Sequence, residues 1–171
     1  MKYFLLIFLF FSAYSFATDD LIQSFERMAK IDRFARDGPT FLAGASLQDI
    51  RDLGALEEEV RTDEDNPYYA GEIILYYTFR FEEGLVVVCR DVSRKNSGER
   101  IQFIFVSITS PRWPIRNNLN VGENVKDIYQ HLGTPNEDTG ERLDYLGETE
   151  EIRFSYIENS ITRVDFLYYA D

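Results

Sequence analysis

The sequence predicts an α+β fold built from two tandem modules, each a helix packed on one face of a three-stranded antiparallel sheet. Three observations predict it. A glycine–cap–helix–Leu-Gly segment occurs at Gly44–Gly54 and again at Gly122–Gly133, about 78 residues apart, and repetition at fixed spacing marks repeated supersecondary units. Each copy is followed by β-branched and aromatic runs, which fit pleated, half-buried surfaces. Short polar turns separate those runs, so neighbouring strands must run antiparallel.

The elements follow in order. Residues 1–17 read as a secretory signal peptide, with Lys2 before the unbroken apolar run Phe4–Phe11 and small residues up to Ala17. The apolar run is shorter than the ~20 residues that span a membrane. Cleavage near Ala17 would give a periplasmic or secreted protein starting at Thr18. Asp19 or Asp20 then caps a helix to about Arg36, with Leu21, Phe25, Met28 and Asp32 at i, i+4 and i+7 spacing. Ser46, with Asp49 three residues on, forms a capping-box pattern ahead of Leu47, Ile50 and Leu53.

Period 2 then replaces period 3.6. Strands are expected over 72–81, 85–91 and 101–110, completing a first module that spans 18–115 with its extra N-terminal helix. Thr62–Asn66 is expected as an acidic turn. The second module spans 116–171: Asn124 caps a helix with Val125, Ile128 and Leu132 inward, and strands follow over 143–146, 151–157 and 161–169.

The chain carries 18 basic and 30 acidic residues, a formal charge of −12. Loss of Lys2 with the leader makes it −13. That balance repels phosphate backbones and anionic lipid, so nucleic acid is excluded as an expected partner, while a basic partner would be steered in. Cys89 is the only cysteine. It sits in the run Leu85–Cys89 and is expected to be a buried thiol, with no disulfide possible within one chain. His131 is the only histidine; nothing in the sequence places a Ser or Cys nucleophile beside it, and it belongs to the last turn of a helix. One Cys and one His exclude an ordinary zinc site. The acidic run from Asp63 fails as a calcium loop, because Tyr68 stands where such a loop needs glycine. No catalytic residue, metal or cofactor is expected.

Aromatic residues are the stronger signal. The chain has 11 Tyr and 14 Phe. Tyr68 and Tyr69 fall in a loop, Trp113 lies between Arg112 and Pro114 in a Pro-rich break, Tyr77 and Phe79 share one strand face, and Phe154 and Tyr156 share another. Tyr and Trp concentrate binding energy at interface centres. These seven residues are therefore the expected binding surface.

Val121-Gly122, Leu132-Gly133-Thr134-Pro135, Leu143-Asp144-Tyr145, Ile152-Arg153-Phe154 and Ile161-Thr162-Arg163-Val164 together resemble the β-lactamase-inhibitor-protein-like superfamily. Small outer-membrane-assembly lipoproteins of the SmpA/OmlA type share that module. The match is strongest over 119–169 and weaker over 44–110. The resemblance implies tandem helix-plus-sheet units whose aromatic sheet surface grips a protein. The inhibitors' disulfides and the lipoproteins' acylated cysteine have no counterpart here, so neither specific activity carries over.

Together these readings give an exported, non-enzymatic protein-binding module of inhibitor, immunity or envelope-assembly type, using an aromatic sheet face and an acidic rim. The alternatives are a carboxylate-based hydrolase and a self-associating structural envelope domain.

Overall fold

A computed structural model describes residues 22–67, 69, 71–92 and 100–169. The expected leader, its cleavage point, the cap at Asp19 or Asp20, and Tyr68 lie outside the described residues. The two-module expectation is overturned. The chain forms one eight-stranded antiparallel sheet in the order β1-β2-β3-β4-β8-β7-β6-β5. The strands are β1 (Leu56–Asp65), β2 (Ile73–Phe81), β3 (Leu85–Asp91), β4 (Ile101–Ile108), β5 (Glu137–Asp138), β6 (Arg142–Leu146), β7 (Glu150–Ile157) and β8 (Ser160–Tyr168). Two runs of four hairpin-linked strands meet at their last members, β4 and β8, which pair antiparallel from Phe105↔Leu167 to Ile108↔Val164. That ladder makes the two halves one sheet, because Val106 and Phe166 at its centre are both fully buried.

Two strands do not match the expected pattern. β1 replaces the acidic turn, and β5 is a two-residue edge. Every residue of β1 is exposed, so no face of it carries an apolar alternation for period 2 to reveal.

Three helices are described. α1 covers 22–37, α2 is Leu47–Arg51 and α3 is Val125–Leu132. Ser46 and Asp49 do form a capping box, and the Asn124 side chain accepts from Lys126 N–H at the start of α3. The apolar stripe of α1 differs from the expected one. Ile22 and Phe25 are exposed, while Ile31, Phe34 and Ala35 are buried.

All three helices sit on one face of the sheet. Phe34 of α1 stacks on Phe166 of β8, Arg51 of α2 lies over the Phe79 ring of β2, and the Tyr145 hydroxyl of β6 donates to the Gly133 carbonyl after α3. Cross-strand register makes the reason plain. Phe79, Val87, Val106, Phe166, Ile152 and Tyr145 form one row across six strands, and each is fully buried. Beside it run Phe81, Leu85, Ile108, Val164, Phe154 and Leu143. The covered face is thus a nearly unbroken apolar plane, and burying it is the main drive to fold.

Two acidic residues enter this layer, Asp32 of α1 and Glu150 at the start of β7. Asp32 of α1 is 5 % exposed, and its carboxylate accepts N–H bonds from Glu148, Thr149 and Glu150 at 3.0–3.1 Å. The β6–β7 turn folds around it, and a Cβ at Gly147 would collide with that carboxylate.

Candidate functional site

The sequence places four of its seven binding aromatics on strands, and alternation puts three of them on the helix-covered face. Tyr77, Phe79 and Phe154 are buried at 7 %, 0 % and 0 % exposure. Trp113 is buried too, packed against Phe41 and Phe81 with its indole N–H donated to the Glu83 carbonyl at 2.8 Å. These four are core, not contact surface, because the helices occupy the face they point to. Tyr156 is half-buried and its hydroxyl donates to Asp138 at 3.1 Å. Tyr69, in the β1–β2 turn, is exposed. The seven expected residues are therefore not brought together.

Among the described residues no helix or loop is seen to pack on the opposite face. Its residues are those that alternate with the core rows. Val60, Thr78, Val88, Phe105 and Leu167 form a continuous cross-strand row over β1, β2, β3, β4 and β8. Val60 is exposed and the other four are half-buried. The row continues into Glu151 and Leu146, where the face changes character.

Beyond β4 the open face is ionic. Each of β6, β7 and β8 carries an arginine–carboxylate pair two residues apart: Arg142–Asp144 at 2.8 Å, Arg153–Glu151, and Arg163–Asp165 at 2.7 Å. The register sets Arg153 between Asp144 and Asp165 on its neighbouring strands. Burial on its own would lift the Glu151 carboxyl, but the Arg153 guanidinium and a hydrogen bond from the Tyr169 hydroxyl outweigh it and hold Glu151 below the usual carboxylate range. The Glu151 bond likewise raises Arg153. The arginines lie over the carboxylates, which leaves Asp144 and Glu151 under 10 % exposed.

The apolar half of the face ends at β1, whose sequence Leu-Glu-Glu-Glu-Val-Arg-Thr-Asp-Glu-Asp is six-tenths acidic. Glu58 pairs with Arg80 at 3.0 Å and Glu59 with Arg51 at 2.7 Å. The Arg51 hydrogen bond, working against some desolvation, holds Glu59 below its usual range. Glu57, Asp63, Glu64 and Asp65 make no ion pair among the described residues.

A cluster of donors around one carboxylate lies at the far edge. Asp138 accepts from the Tyr129 hydroxyl, the Tyr156 hydroxyl and Gly140 N–H. The Gly140 bond leads in holding Asp138 low. Both of its oxygens are engaged within the fold.

Described residues line several hollows. One, of about 650 Å³, includes Arg142, Ser155, Tyr156 and two exposed acids, Glu141 and Glu158. Another, about 280 Å³, opens where β4 and β8 diverge and includes Phe103, Glu150 and Tyr168. A third, near Arg27 and Asn136, holds no carboxylate. His131 is exposed at the end of α3 and lines none of them. Cys89 is fully buried. Among the described residues no three Asp, Glu, His or Cys side chains gather as metal ligands, and no helix is long and apolar enough to cross a membrane.

Sequence reasoning marked Asp63, Glu64 and Asp65 as part of an acidic turn rather than a strand, and it missed the open-face row. Val88, Phe105 and Leu167 look like core in sequence, because only cross-strand register shows that they face away from the helices. No family model matches the chain, and no curated protein matches it. Among solved structures, the uncharacterized protein yfeY from Escherichia coli is similar at a TM-score of 0.41 and 10 % identity, over 76 % of this chain and 95 % of that one.

Proposed function

We propose that the chain is an exported, non-enzymatic protein-binding module that contacts its partner through the uncovered sheet face and the acidic β1 edge. The observation that carries this reading is the row Val60–Thr78–Val88–Phe105–Leu167, an apolar stripe crossing five strands with no described element packed over it. An exposed apolar stripe rimmed by charge is the usual form of an interaction site. Exposed Tyr69, at the tip of the β1–β2 hairpin, adds an aromatic anchor next to the rim. The chain's charge of −12 and the unpaired acids of β1 favour a basic partner and disfavour nucleic acid.

The test is capture by crosslinking from envelope extract, using tagged protein and a Val88→Ser, Phe105→Ser variant. The reading expects one stoichiometric partner, weakened by salt and lost in the variant, with Tm lowered by only a few degrees. Capture that is unaffected by the double substitution would overturn the placement of the contact surface.

A further inference from the structure

Resting on that protein-binding reading, we propose that the partner is held by strand addition: an extended segment bearing Lys or Arg pairs along the outer edge of β1. Among the described residues β1 ends the sheet order and has a strand, β2, on one side only. A strand with one neighbour leaves half its backbone N–H and C=O groups pointing outward. β1 is ten residues long, roughly 33 Å at about 3.3 Å per residue. The opposite edge, β5, is two residues long, so the sheet offers one long edge for pairing.

The usual protections of an edge are mostly missing from β1. A bulge at Leu56–Glu58 disturbs its start, but Glu58 to Asp65 pair without interruption with Arg80 to Ile73. The strand contains no proline, and all ten of its residues are exposed. What remains is charge, and charge selects the occupant. A second copy of this chain is disfavoured. Antiparallel pairing of β1 with itself, centred on the strand, would set Glu57 and Glu58 against Glu64 and Asp63, and like charges directly opposite are destabilising.

A basic segment meets the reverse situation. Asp63 and Asp65 face the helix side while Glu64 faces the open side, by their pairing with Leu75, Ile73 and Ile74. Cations on either face of an incoming strand would therefore find a carboxylate. Opposite Val60 the chemistry changes. An apolar side chain there would extend the stripe of Thr78, Val88 and Phe105 by one strand. The segment so specified is extended and rich in Lys or Arg, with an apolar residue near its centre. Backbone hydrogen bonds would supply affinity and the alternating side chains specificity, as in other strand-addition complexes.

The experiment uses a labelled eight-residue peptide alternating Lys and Thr around a central Val, with capped ends, read by fluorescence anisotropy against the protein. Its comparators are a Glu-for-Lys peptide and two N-methylated forms, each lacking the donors along one edge. Strand addition predicts that the lysine peptide binds and the glutamate peptide does not. One N-methylated form should lose at least tenfold in affinity and the other little. Asp63→Lys with Glu64→Lys and Asp65→Lys, all exposed, should reverse the preference between the two charged peptides. Equal binding by both N-methylated forms would mean charge attraction without pairing and would overturn the proposal, as would no binding of the lysine peptide. Neither result would touch the open-face contact, which the Val88 and Phe105 substitutions test separately.

Discussion

Asp32 shows how a single side chain can tie a helix to a distant turn. Its carboxylate accepts three backbone N–H bonds from Glu148 to Glu150. Bonds to a charged acceptor are worth about 1.5–3 kcal/mol each and are not additive. Asp32→Ala should therefore cost about 3 kcal/mol in urea unfolding, and Asp32→Asn less, because the amide oxygen can still accept from Thr149 and Glu150 while the amide nitrogen cannot accept from Glu148. In sequence Asp32 falls on the α1 stripe at the spacing of an apolar residue. Spacing thus located a buried position, but not the turn that makes an acid suitable there. Titration follows the same local logic. Glu59, Asp138 and Glu151 are held below their ordinary range, so their stabilising contribution is present above the unfolded value near 4 and lost as pH falls through the folded values. Tyr168 is raised by burial and then by Glu150, and Tyr145 chiefly by burial. Their contribution is complete below pH ~10 and is lost as pH rises further. Thermal scans across pH should show Tm falling below pH ~4 and again above pH ~10, with a plateau between.

At the scale of elements, strands buried on one face were readable and strands buried on neither were not. β3 runs from Leu85 to Asp91 as period 2 indicates, because Leu85, Val87 and Cys89 alternate inward. β1 carries no such signal, and Glu and Asp are depleted in strands generally. It is held by backbone pairing with β2, uninterrupted from Glu58 to Asp65. The β7–β8 hairpin gives a test of local geometry. Glu158 and Asn159 form its two-residue turn with φ of 50° and 69°, the conformation that favours Asn-Gly. Left-handed backbone costs an ordinary residue roughly 1–2 kcal/mol. Glu158→Asn with Asn159→Gly should therefore raise stability by about 1 kcal/mol, read as a higher urea midpoint with an unchanged m-value.

At the scale of the whole molecule, the repeat signal at Gly44 and Gly122 located two real helices and suggested two separate modules. What it could not show is that β4 and β8 pair and fuse the strands into one sheet, since pairing between the last strands of each run leaves no local mark. The fused core predicts a single cooperative transition. Trp113 fluorescence, reporting near β2, and far-ultraviolet circular dichroism, reporting on all strands, should give coincident unfolding curves. Phe166→Ala, at the centre of the junction, should cost about 3–5 kcal/mol and shift both curves together. The same continuity gives the open face its uninterrupted row and leaves β1 as its one long edge. Amide hydrogen exchange of the protein, alone and with the lysine peptide, tests that most directly. The account predicts added protection along Glu58–Asp65, at alternate residues whose N–H groups point outward, and none at β5. Peptide binding that leaves β1 exchange unchanged would contradict it.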